Sequence, residues 1–131
     1  MLAQLKTEHD SLRDLAGRLR GYLHGDRPPH DPAFAQLRWM LVRELSIHLA
    51  TERRAVDAWC AMGGDGDGFD EALDDAFTRH IVAWSGATMA STWTRYCDET
   101  RVLLARLCDR MDYEERAVFP VLRGTRIGGA R

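Results

Sequence analysis

With 131 residues, 45% of them hydrophobic and 29% charged, the chain has the apolar content of one globular domain with its own core, which disordered chains lack. A formal charge of -2 and an isoelectric point near 6.2 provide no net positive field to gather phosphates, which excludes bulk attraction to nucleic acid or to an anionic membrane. Cys60, Cys97 and Cys108 are odd in number and lack C-x-x-C spacing, so neither a disulfide framework nor a zinc knuckle is expected, and the thiols read as buried, reduced core residues.

Met1 to Asp10 lacks a basic stretch followed by an apolar one, and no stretch approaches the roughly 20 apolar residues that span a bilayer, so the expected location is cytoplasmic. From Leu2 the dominant signal is helical: Leu2, Leu5, His9, Leu12, Ala16, Leu19 and Leu23 recur every three or four residues and make one apolar stripe. This first helix should stop at Gly25, because Pro28 and Pro29 lack the backbone donor and restrict their predecessors. Asp31-Pro32 has the form of an N-cap followed by proline in the first turn, and it opens a second helix. Phe34, Leu37, Leu41, Leu45, His48, Glu52, Ala55 and Trp59 line one face of that helix, with two polar residues interrupting the stripe.

The run Gly63-Gly64-Asp65-Gly66-Asp67-Gly68 should end the second helix. It lacks the ligand spacing and closing Glu of a calcium-binding EF-hand, so it reads as a linker. A third helix begins near Phe69 or Asp70 and carries Phe69, Leu73, Phe77, His80, Trp84 and Ala87 on its buried side. A fourth carries Leu103, Leu104, Leu107, Arg110, Met111, Glu114, Val118 and Val121, and Pro120 marks its last turn. Gly86, Ser91, Thr92 and Asp98 all offer punctuation between the two. Residues 1–123 thus form an all-α domain, an antiparallel up-down-up-down four-helix bundle, and residues 124–131 form a small, basic tail expected to fray.

In such a bundle two residues are level when they lie equally far from the turn between them, since each helix rises about 1.5 Å per residue. The midpoint between His9 and the His48 and Glu52 pair falls near Pro29, and that between the pair and His80 falls near Asp65, inside the glycine run. The midpoint between His80 and the Arg110 and Glu114 pair falls near Tyr96, which predicts that the third helix runs through Gly86. By this arithmetic His9, His48, Glu52, His80 and Glu114 share one level. Neutral imidazoles beside buried carboxylates are what first-row metals take as ligands, and the i, i+4 spacing of His48 and Glu52 lets both reach one centre. His24 and His30 sit at the first turn and read as solvated.

The ordered set Glu8-His9-Asp10, His48-Leu49-Ala50-Thr51-Glu52, Arg79-His80 and Glu114-Glu115-Arg116-Ala117-Val118-Phe119-Pro120 resembles the hemerythrin-like, or HHE cation-binding, family over about Gln4 to Pro120. The resemblance implies a non-haem iron centre, di-iron or single, with His9, His48, Glu52, His80 and Glu114 as metal ligands. It implies binding of dioxygen, nitric oxide or peroxide, or sensing of iron and redox state, by a carrier or sensor before an enzyme. Four residues before Glu114, where the family has histidine, stands Arg110, a permanent cation with no lone pair for a metal. The site is therefore expected to be defective, or closed by Arg110 in a metal-free bundle that serves as a regulatory or protein-interaction module. A hydrolase or transferase is not expected, since neither a nucleophile elbow nor a phosphate loop is present. Trp39, Trp59, Trp84 and Trp93 read as core or edge packing, and any that face outward mark a surface for a second copy or a protein partner.

Overall fold

A computed structural model describes residues 2–63, 71–84 and 86–124. The opening helix, α1 (Leu2–Arg20), buries Leu5, His9, Leu12, Ala16 and Leu19 of the stripe read from the sequence, and Leu15 beside them. The chain leaves it through Gly25, whose φ of 78° lies in the left-handed region that favours glycine. Helix α2 (Pro32–Ala61) starts as expected: the Asp31 carboxylate accepts a hydrogen bond from the Ala33 N–H at 2.9 Å, and Pro32 holds the first turn. At its far end Gly63, with φ 93°, donates its N–H to the Cys60 carbonyl at 3.0 Å. Contacts that climb α1 descend α2: Asp31 bonds Tyr22, Glu44 bonds Ser11, and the ring of His48 lies against that of His9.

Three further helices and their extension complete an all-α domain whose helices pack into a bundle. These are α3 (Glu71–Ala83), the short α4 (Gly86–Ser91), α5 (Trp93–Tyr113), and a π-helical turn (Glu114–Val118) that leads into α6 (Phe119–Gly124). In the π turn the N–H of Phe119 reaches five residues back to the carbonyl of Glu114. Pro120 supplies the physical reason, since it has no N–H and its ring would clash with the carbonyl four residues before it in a regular helix. Leu12, Leu19, Leu41, Leu45, Phe77, Leu104 and Met111 belong to a large apolar cluster, and Leu5, Ala55 and Phe119 form a small one.

Several sequence expectations are corrected here. The third helix does not run through Gly86: α3 ends at Ala83, α4 begins at Gly86, and the reversal precedes Trp93 rather than centring on Tyr96. The predicted helix starts at Phe69 and Asp70, most of the glycine run, Ser85 and the tail from Thr125 onward lie outside the described residues. Val121 is exposed instead of buried, and so is Cys60, whereas Cys97 is buried and Cys108 half-buried; all three thiols are free. Trp84 and Trp93 are core residues, and Trp39 is 68% exposed. Among the described residues no helix is long and apolar enough to cross a membrane.

The corrected reversal moves His80. It stacks on Tyr96 with ring centroids 5.6 Å apart, and its Nε2 lies 2.9 Å from the Thr100 hydroxyl. A small internal cavity brings it together with Arg38, Leu41 and Thr100, which places it beside a part of α2 about ten residues, or roughly 15 Å, from Glu52. The midpoint arithmetic credited the connection equally to both helices, whereas these contacts centre the hairpin near Ala61, where α2 ends. Burial, with the Arg38 charge adding to it and Glu99 opposing, pushes the His80 pKa down from 6.5 to about 4. Neutral His80 therefore favours the folded state fully above pH 6.5, and that contribution is lost as the pH falls from there through about 4. For this half-exposed ring we expect the stability advantage of wild type over His80→Gln to shrink by about 1–2 kcal/mol between pH 7 and pH 4.5, measured by urea unfolding.

Candidate metal centre

The polar layer divides the two apolar clusters. His9 lies between Leu5 and Leu12 on α1, His48 and Glu52 between Leu45 and Ala55 on α2, and Glu114 between Met111 and Phe119 where α5 passes into the π turn. Helical spacing turns each of these side chains to the core face of its own helix, so the burial of their apolar neighbours carries the polar groups inward. All four are buried, and one ligand atom from each lies within 4.8 Å of the others. Four of the five residues expected at this level are thus brought together, and His80 is not.

Each histidine is held between an inner and an outer carboxylate. His9 places Nδ1 2.7 Å from Oε2 of Glu115 and Nε2 3.1 Å from Oε1 of Glu114. His48 places Nδ1 2.8 Å from Oε1 of Glu8 and Nε2 3.2 Å from Oε2 of Glu52. An ionised carboxylate only accepts, so the outer pair draws a ring proton to Nδ1, while Nε2 of each ring faces an inner carboxylate. The outer carboxylates are anchored in turn: Gln4 and Thr51 donate to Glu8, and Arg13 lies 2.7 Å from Glu115. Phe119 stacks on the His9 ring at 5.3 Å. Glu8 and Glu115 were not assigned from sequence, although each is the chain neighbour of a predicted ligand. The available signal was the carboxylate-histidine pairing that metal-bound imidazoles require.

Burial opposes charge throughout this layer, and the neighbours decide the outcome. Burial, aided by the adjoining Glu114 carboxylate and opposed by the His48 hydrogen bond, pushes Glu52 up from 4.5 to about 7. Burial works against protonated His48, but hydrogen bonds to Glu52 and Glu8 and the Glu114 charge outweigh it and raise its pKa. For Glu115 the upward effect of burial is overcome by hydrogen bonds from His9 and Arg13, which hold it below its ordinary value.

The donor set fits a divalent first-row metal: two imidazole nitrogens and two carboxylates, each imidazole backed by a second carboxylate. The most direct sign is Nε2 of His9. Although 3.1 Å from Glu114, it has the wrong direction for a hydrogen bond and is, among the described residues, the buried side-chain nitrogen or oxygen left without a hydrogen-bond partner. A cation between these atoms would satisfy both. A cavity of about 20 Å³ adjoins the inner carboxylates, lined by His48, Glu52, Leu73, Phe77, Arg110 and Glu114 among others; that is room for about one water-sized molecule.

Arg110, half-buried, donates from Nε to Oε2 of Glu114 at 3.2 Å and lies over the Tyr113 ring at 5.1 Å. The guanidinium is therefore within reach of the inner carboxylates, as the i, i+4 spacing implied. Arg110→Ala should destabilise the apo protein by about 2–4 kcal/mol, somewhat below the cost of breaking a fully buried pair, as read by chemical denaturation in the presence of chelator. In comparisons with known proteins, no family model, no curated protein and no solved structure matches this chain.

Proposed function

We propose that this chain is a hemerythrin-like, up-down-up-down four-helix bundle that binds a divalent metal, iron by preference, through His9, His48, Glu52 and Glu114. The observation that carries the reading is the fully buried Nε2 of His9, without a hydrogen-bond partner though 3.1 Å from a carboxylate oxygen, in a layer where four ligand atoms converge. Iron held there would supply an open coordination position for dioxygen, nitric oxide or peroxide, and the ability to change oxidation state. The chain's own part would be to present the two Nε2 atoms, to hold the imidazoles in place through Glu8 and Glu115, and to keep bulk water from the layer with Phe77, Met111 and Phe119. Such a protein is a carrier or sensor of a small molecule or of iron itself.

One observation favours a second reading, a metal-free regulatory or interaction module. The Arg110 guanidinium beside Glu114, and a Glu52 carboxyl raised to about 7, are charges and protons that stand where a dication would otherwise balance the carboxylates. Equilibrium titration with ferrous ion under argon, with elemental analysis after gel filtration, separates the two. We expect stoichiometric binding by wild type, loss of at least 100-fold in affinity for His9→Ala and His48→Ala, and a rise in melting temperature that grows with free metal. Glu8→Ala should weaken binding about 10–100-fold without changing the stoichiometry, because it frees the His48 ring rather than removing a ligand. Wild-type protein that retains no metal would leave the metal-free module.

A further inference from the structure

Resting on the metal-binding reading, we infer that the centre takes a single ion per chain, and that the Arg110 guanidinium stands in the position a second ion would need. Three observations converge. Among the described residues, the buried ligand atoms that lie within 4.8 Å of one another come from four residues, a complete set for one ion. His80, the remaining imidazole expected at this level, is committed elsewhere, stacked on Tyr96 and within hydrogen-bond distance of Thr100. Finally, the two oxygens of Glu114 are already divided, Oε1 toward His9 and Oε2 receiving the Arg110 Nε–H at 3.2 Å.

That division excludes a second dication for two physical reasons. A carboxylate that bridges two metals through both oxygens offers one to each, and the guanidinium holds the second oxygen of Glu114 with a charge-assisted hydrogen bond, leaving Oε1 alone for metal. The charge balance points the same way. Glu52, Glu114 and Arg110 together leave one formal negative charge in the layer, which a single dication turns into one positive charge and a second would turn into three, in a site nearly closed to water. Glu115 does not offset that excess, because Arg13 and Lys6 already lie against it, and counting Glu8, whose donors Gln4 and Thr51 are neutral, one dication leaves the layer balanced while a second leaves two positive charges. Arg110 thus acts as a built-in cation that completes a one-metal centre and leaves the cavity beside Glu52 free for a small ligand.

Wild type, Arg110→His and Arg110→Gln are titrated with ferrous ion under argon at pH 8, and bound iron per chain is measured by elemental analysis after gel filtration. The inference expects one equivalent in wild type. It expects a second, weaker equivalent in Arg110→His, whose neutral ring would offer a lone pair where the charge was, and one equivalent bound at least tenfold tighter in Arg110→Gln, which removes the repelling charge. Circular dichroism checks that each variant folds, and either variant alone suffices if the other does not. Two equivalents in wild type would overturn the inference. One equivalent in all three with unchanged affinity would also overturn it, since the guanidinium would then have no bearing on the site. No iron in wild type would instead defeat the metal-binding reading on which it rests.

Discussion

Two carboxylates buried in the middle of an apolar bundle set the terms for everything around them. Glu114 is 1% exposed and Glu52 7%, and carboxylates so far from water need protons, donors or a cation. The chain offers all three. Burial and mutual repulsion push the Glu52 carboxyl up to about 7, so that it can hold a proton. Arg110 donates to Glu114, and the two histidines turn Nε2 toward both acids. The layer is therefore poised without a metal, and a metal entering it would have to displace protons.

The apolar clusters on either side make this poise structural. With Leu12, Leu45 and Met111 on one side and Leu5, Ala55 and Phe119 on the other, the four helical positions of the layer are held by packing whether or not an ion is present. The outer carboxylates extend the order by another step: Glu8 and Glu115 fix the imidazole rings and are themselves held by Gln4, Thr51 and Arg13. Rings oriented before the metal arrives lose less freedom on binding it. The π turn belongs to the same design, because it begins at Glu114 and lets consecutive residues, Glu114 and Glu115, approach opposite nitrogens of one imidazole.

His80 belongs to a different network at the other end of the core. Tyr96 is its centre, stacked on Trp93 and His80, set edge-on to Trp84, and hydrogen-bonded through its hydroxyl to Arg38. Trp84 in turn donates its indole N–H to Glu99. Here the imidazole packs on Tyr96 and lies within hydrogen-bond distance of Thr100, and burial holds its pKa low.

The sequence by itself determined the first two helices, their buried faces and the convergence of His9, His48 and Glu52. The stripes of α1 and α2, the Asp31-Pro32 start and the breaks at Gly25 and Gly63 follow from periodicity and backbone chemistry, which are local properties. The meeting of His9 with His48 and Glu52 followed as well, because Gly25 and the Asp31-Pro32 start mark the reversal between two long helices and so set their register. Only the tertiary structure decided where α3 lies. The reversal toward α5 contains a short helix that periodicity did not announce, and a misplaced turn becomes an error of whole helical turns, which removed His80 from the layer and left Glu114 in it. The parts played by Glu8, Glu115 and the π turn were also decided there. They depend on which side chains meet across helices and on a backbone adjustment near Pro120, neither of which any single helix's pattern encodes.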